Sequence, residues 1–161
     1  MISAIPSLSV VNSTVVLPSL EAVLAYDHPT LVARIEKKLG VSQEEAEQLF
    51  KDTKKFLYLC AISEESISPN ETLDFGWHEF ILFMRDYEKF CQDYFGELIY
   101  HRPRYLDDLP SNNEGSQRAL DLAREVFGEE LSENWDYPKL ESAAGAPCGD
   151  SCGCQPACNT D

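Results

Sequence analysis

Basic residues are scarce in this chain: 13 Lys and Arg stand against 28 Asp and Glu in 161 residues, a formal charge of −15. Such a surface repels phosphate, which argues against direct nucleic-acid binding and against anionic membranes. Long apolar runs are also lacking, and nothing approaches the roughly 18 residues that a membrane helix needs. The opening MISAIPSLSVVNSTVVL is apolar but carries no Lys or Arg, and Pro6 and Asn12 interrupt it. It therefore lacks the basic segment and unbroken apolar core of a secretory signal, and the expected location is cytoplasmic. Missing too are a G-x-S-x-G elbow, a phosphate loop, a dinucleotide glycine fingerprint and an H-E-x-x-H pair. No carboxylate pair stands out from the general acidity. No catalytic residue and no organic cofactor are assigned, and an enzyme is not expected.

What is present belongs to a globular protein. The hydrophobic fraction is 43% and the aromatic fraction 11%, enough for one domain with a core of its own. The pattern predicts an all-α fold, a small bundle of three to four main helices. An irregular N-terminal arm (residues 1–18) precedes the helical domain (19–140), and a flexible Cys-rich tail (141–161) follows it. Leu20 to Tyr26 reads as a short helix. Asp27 is placed to cap the next, with Pro29 in its first turn, Leu31, Val32 and Ile35 on its apolar stripe and Gly40 at its end. Ser42 and Glu45 form a capping box before Ala46, Leu49, Phe50, Thr53, Leu57 and Cys60 at helical spacing. Lys51, Lys54 and Lys55 read as a solvated basic face of that helix.

Ser68-Pro69-Asn70-Glu71 is a second capping-box pattern. From it Leu73, Trp77, Phe80, Met84, Tyr87, Cys91 and Tyr94 recur at alternating spacings of four and three. That seam predicts one long central helix, Ser68 to Phe95, with Trp77, Phe80, Met84, Tyr87 and Tyr94 mostly buried. Gly76 within it is read as admitting a close neighbour. A fourth helix spans about 115–127, with Leu120, Ala123 and Phe127 buried, and Trp135 and Tyr137 fold back as a last apolar anchor.

The stretch WHEFILFMRDYEKFCQDYFGELIYHRP, Trp77 to Pro103, resembles the core of the bacterial glycine-rich-domain-containing-protein-like family. The resemblance rests on Trp77-His78, the apolar run Phe80 to Phe83, Tyr87, Cys91, Phe95-Gly96, and His101 with Pro103. Phe56-Leu57 and Phe127-Gly128 followed by Trp135 extend it, as does the Cys-rich tail, so that it covers roughly residues 40 to 158. Phe80 stands where a second His commonly follows the Trp-His, and Tyr100 where the family often has the first of paired histidines. Both differences remove possible ligands. The resemblance implies a fold and transfers no settled activity.

Within the motif, His78 has Asp74 one turn before it and Arg85 about two turns after, a polar stripe beside the seam. It reads as a structural histidine bonded to Asp74, with an acid–base or metal role as the alternative. Cys91 and Cys60 read as small buried hydrophobes, and His28 as a helix-start residue. On a straight helix His78 and Cys91 lie about 20 Å apart, and His101 follows well beyond. His78, Cys91 and His101 are therefore not expected to share one ion, and His78 and His101 are only the weaker ligand candidates.

The tail carries the clearest ligand set. Cys148, Cys152, Cys154 and Cys158 form C-x3-C-x-C-x3-C, with Gly149, Gly153 and Pro156 allowing sharp turns. Thiolates at this density suit Zn(II) or Cu(I), with disulfides or a modified tail as alternatives. The leading expectation is a small, non-enzymatic metal-binding or accessory protein built on a helical scaffold. A second is an acidic interaction or inhibitor module that binds a basic protein surface in place of nucleic acid. A third is a precursor whose Cys-rich tail is modified by partner enzymes. Oligomeric state is not legible.

Overall fold

The computed structural model describes residues 18–103 and 114–136 in full, and residues 153–155 through their backbone. Residues 1–17 of the expected arm, most of the tail and Tyr137 lie outside the described residues. The architecture is mostly helical: α1 (Leu20–Ala25), α2 (Pro29–Leu39), α3 (Gln43–Ile62), α4 (Glu71–Ile81), α5 (Met84–Phe95) and α6 (Glu114–Phe127). A single 3-10 turn, Glu133–Trp135, follows α6. Two three-residue strands, β1 (Tyr100–Arg102) and β2 (Gly153–Gln155), pair antiparallel. Among the described residues no helix is long and apolar enough to cross a membrane.

The hub is α3, not the Ser68–Phe95 segment. It packs against α1, α2, α4, α6 and the 3-10 turn. Its capping box forms as its sequence predicts: Glu45 N–H donates to Ser42 Oγ at 3.2 Å and Ser42 N–H to Glu45 Oε2 at 2.9 Å. Ala46, Leu49, Phe50, Phe56, Leu57 and Cys60 are buried along it. So is Lys54, which corrects the reading of a solvated basic face. Its ammonium leaves α3 to donate to the carbonyls of Leu24 at 2.8 Å and Tyr26 at 2.5 Å, closing the C-terminal end of α1. Burial pulls the Lys54 pKa down to about 8. Lys55 lies over the Phe127 ring, 5.0 Å from its centroid.

Two helix starts also differ from expectation. His28, not Asp27, caps α2, its Nδ1 accepting from Leu31 N–H at 3.1 Å. Asn70, not Ser68, caps α4, its Oδ1 accepting from Leu73 N–H at 2.8 Å. Gly76 does admit a close neighbour: a Cβ there would lie 2.2 Å from Thr53 Oγ1, so α3 and α4 touch at this point.

The predicted long helix is two helices. The α-helical ladder stops at Leu82 and Phe83, where Phe83 N–H turns back to Phe80 O at 3.0 Å and Phe83 takes φ −89°, ψ 57°. Neither glycine nor proline marks the break. The rings explain it: Phe80 meets Tyr87 at 5.2 Å and Phe90 at 5.2 Å. In a straight helix residues 80 and 90 would stand about 15 Å apart along the axis. Folding α5 back buries Tyr87 and Phe90 against Phe80 and Tyr26, at about 1.5–3 kcal/mol per large side chain, against the loss of a few local hydrogen bonds. The reversal also overturns part of the expected core. Trp77, Phe80 and Tyr87 are buried and Tyr94 is partly so, but Met84, just past the turn, is 68% exposed.

Candidate metal centre

The break between α4 and α5 decides where the functional residues meet. Gly96 ends α5 in the left-handed conformation, φ 77°, and the chain reverses through Ile99 into β1. Tyr87 holds this return. Its hydroxyl accepts from the Trp77 indole N–H at 2.9 Å and donates to the Ile99 carbonyl at 2.5 Å, all buried. Burial pushes the Tyr87 pKa up, so the phenol stays a donor.

Two residues beyond Ile99, His101 is laid against α4. Its ring centroid lies 4.4 Å from that of Trp77 and 4.2 Å from that of His78. His101 Nε2 is 2.8 Å from Asp74 Oδ1, and His78 Nδ1 is 3.1 Å from Asp74 Oδ2. His78 Nδ1 also sits 2.8 Å from the Asp74 backbone oxygen. A carbonyl only accepts, so Nδ1 carries the proton and the neutral ring keeps its lone pair on Nε2. Asp74, His78 and His101 each offer one ligand atom, and these three atoms lie within 4.8 Å of one another. The trio is screened unevenly: the His101 side chain is 8% exposed and that of His78 34%, so the cluster is reached from the His78 side.

Burial by itself would raise the Asp74 pKa. Hydrogen bonds from His101 and then His78, with their charges when protonated, overcome it and hold the carboxyl below its ordinary range. An ionised carboxylate between two imidazoles is a 2-His-1-carboxylate donor set, suited to Zn(II) and other borderline divalent ions.

The expectation that His78 and His101 stay apart is therefore corrected; it assumed a straight helix, and α5 doubles back. Cys91 is a buried free thiol outside the trio, and burial pushes its pKa up, as a small core hydrophobe requires. Cys60 is buried, as its reading required, and it is disulfide-bonded. Arg85 is exposed on α5 and shares no stripe with His78, since the turn separates them; Pro103 is exposed and Phe95 partly buried. Of the tail ligands, Cys154 falls in β2 opposite His101, while Cys148, Cys152 and Cys158 lie outside the described residues.

Sequence reasoning missed Asp52. It is fully buried and accepts from Gln48 Nε2 at 3.0 Å, Ser132 Oγ at 2.6 Å, Asn134 Nδ2 at 2.9 Å and Trp135 Nε1 at 3.1 Å. The signal was available, because Asp52 follows Leu49 by three and precedes Phe56 by four on the core face of α3. It ties the segment after α6 to the hub and has a structural role. The predicted return of Trp135 as an anchor is what this carboxylate secures.

No curated protein and no solved structure matches the chain. A family model does, over residues 20–134, a span that contains all six described α-helices, the Asp74–His78–His101 cluster and Asp52. The chain belongs to the UCP032817-like family.

Proposed function

We propose that this is a small metal-binding protein whose helical domain presents Asp74, His78 and His101 to a divalent ion, with Zn(II) the best fit. The observation that carries the reading is the convergence of three ligand atoms within 4.8 Å, from two segments that the turn at Leu82–Phe83 brings together. Nitrogen and carboxylate donors favour Zn(II) over Cu(I), which prefers sulfur. The tail thiols Cys148, Cys152, Cys154 and Cys158 remain the soft-ligand set in this reading. Trp77 beneath His101, and Tyr87 behind Ile99, hold the histidine in place before any ion arrives.

The test is Zn(II) titration of the reduced full-length chain by calorimetry and native mass spectrometry. One equivalent should bind, through the ring nitrogens that carry no proton in the neutral imidazoles. The variants Asp74→Asn, His78→Ala and His101→Gln should lose this binding while keeping their helical circular dichroism. Retention of the metal by all three variants, or no metal on the parent chain, would refute the reading.

A second reading, docking to a basic partner surface, gains support from the fate of the few cations. Arg34 and Lys38 are paired with Glu79, Lys54 is buried, and Lys55 covers Phe127. The net charge of −15 is thus left to a surface poorer still in free positive groups. Affinity for such a partner should fall steeply as salt rises.

A further inference from the structure

The Asp74–His78–His101 cluster is backed by core on one side and reached by solvent on the other. Trp77 lies against the His101 ring, and Tyr87 holds Ile99 two residues before it; all three supports are buried. The side chains of Asp74 and His101 are 14% and 8% exposed, that of His78 34%. Among the described residues no fourth His, Cys, Asp or Glu joins the three ligand atoms. The other donors on this return are engaged elsewhere. The Tyr87 hydroxyl bridges Trp77 and Ile99, and Cys91 sits against the Ile99 backbone and the Tyr87 side chain.

We infer that the centre is an open metal site: an ion on Asp74, His78 and His101 takes its remaining ligand from solvent on the His78 side, and that ligand is a small anion or an ionisable water. This rests on the three-residue reading above and gives it a ligand class. Three protein donors with one exchangeable position is the arrangement of catalytic zinc, whereas structural zinc is closed by four. Charge selects the anion. One carboxylate and two neutral imidazoles leave a divalent ion with a net positive charge, which an anionic ligand neutralises. The same charge lowers the pKa of a water held there toward neutrality. Approach past a single partly exposed histidine keeps the ligand small.

Co(II) and azide serve as probes in the full-length protein with its Cys60 disulfide intact. The parent should take up one equivalent of Co(II), and its visible absorption should change saturably as azide is added, with one azide bound per cobalt. Without azide the same absorption should shift through a single ionisation as pH rises, and saturating azide should suppress that shift. Asp74→Asn and His101→Gln, checked for folding by circular dichroism, should lose the azide-sensitive absorption. A parent complex that needs Asp74 and His101 but ignores both azide and pH overturns the open position and leaves the three-residue centre standing. A thiolate-to-cobalt charge-transfer band in that complex overturns it too, because a cysteine then fills the position. An azide response that survives both variants belongs to cobalt bound elsewhere and overturns the assignment. Absence of Co(II) binding in the parent removes the open position and the centre beneath it.

Discussion

The indole N–H of Trp77 donates to the Tyr87 hydroxyl across 2.9 Å, and through that hydroxyl α4 is tied to α5 and to the Ile99 carbonyl. One phenol thus joins the two halves of a broken helix to the segment that returns His101 to His78. Fold and candidate centre depend on the same bond.

Removing that oxygen should therefore weaken both. Tyr87→Phe leaves the Trp77 N–H and the Ile99 carbonyl buried without this partner, at about 1–3 kcal/mol each, while keeping the ring contact with Phe80. Urea denaturation should show a lower midpoint with an unchanged slope. Zn(II) affinity should fall with it, because His101 loses its support two residues upstream. An unshifted midpoint would show that the Tyr87 hydroxyl does not hold the turn.

The contact between α3 and α4 can be probed at Gly76. A methyl group there would meet Thr53 Oγ1 at 2.2 Å, and overpacking of this kind costs about 1–3 kcal/mol despite the higher helix propensity of Ala. Thr53→Ala removes the opposing oxygen, so Gly76→Ala should be tolerated better in that background. Thermal melts of the two single variants and the double variant form a cycle, and strict additivity would place the helices farther apart than described.

Asp52 should be among the least replaceable residues. Asp52→Ala orphans donors from Gln48, Ser132, Asn134 and Trp135 around a buried position, at about 3 kcal/mol or more. The fluorescence of Trp135 should shift toward that of a solvent-exposed indole under native conditions. A variant with the parent's stability and emission would mean that the segment after α6 docks without this carboxylate.

Acid should reveal Asp74. Its folded-state pKa lies below the ordinary carboxyl value, so its contribution to stability is complete above the unfolded value near 3.9 and fades as pH drops through the lower folded one. The stability difference between the parent and Asp74→Asn should thus shrink as pH falls below about 4. A difference that grew on acidification would reverse the assigned sign.

The helices themselves were legible because local chemistry writes them. Ser42 with Glu45, Pro29, Gly40 and Gly96 act within a few residues, and the burial of Leu31, Leu49 and Trp77 follows from helical spacing. The seam from Leu73 to Tyr94 had the right period and the wrong conclusion. Periodicity reports which side chains seek the core, and a helix that doubles back satisfies it as well as a straight one. The break at Leu82–Phe83 lies among ordinary apolar residues with no proline or glycine, because rings distant along the helix, Phe80 and Phe90, decide it. Lys54 and Asp52 escaped for a related reason: their polarity points to solvent until partners from α1 and the 3-10 turn are in place.

By itself the sequence determined an acidic, helical domain with a Trp-His motif and a thiol-rich tail, since composition and short-range spacing are properties of the chain alone. Tertiary structure alone decided that Asp74, His78 and His101 meet. Their convergence requires α5 to fold back and Ile99 to be held by Tyr87, and the aromatic packing that drives both spans positions no local pattern connects.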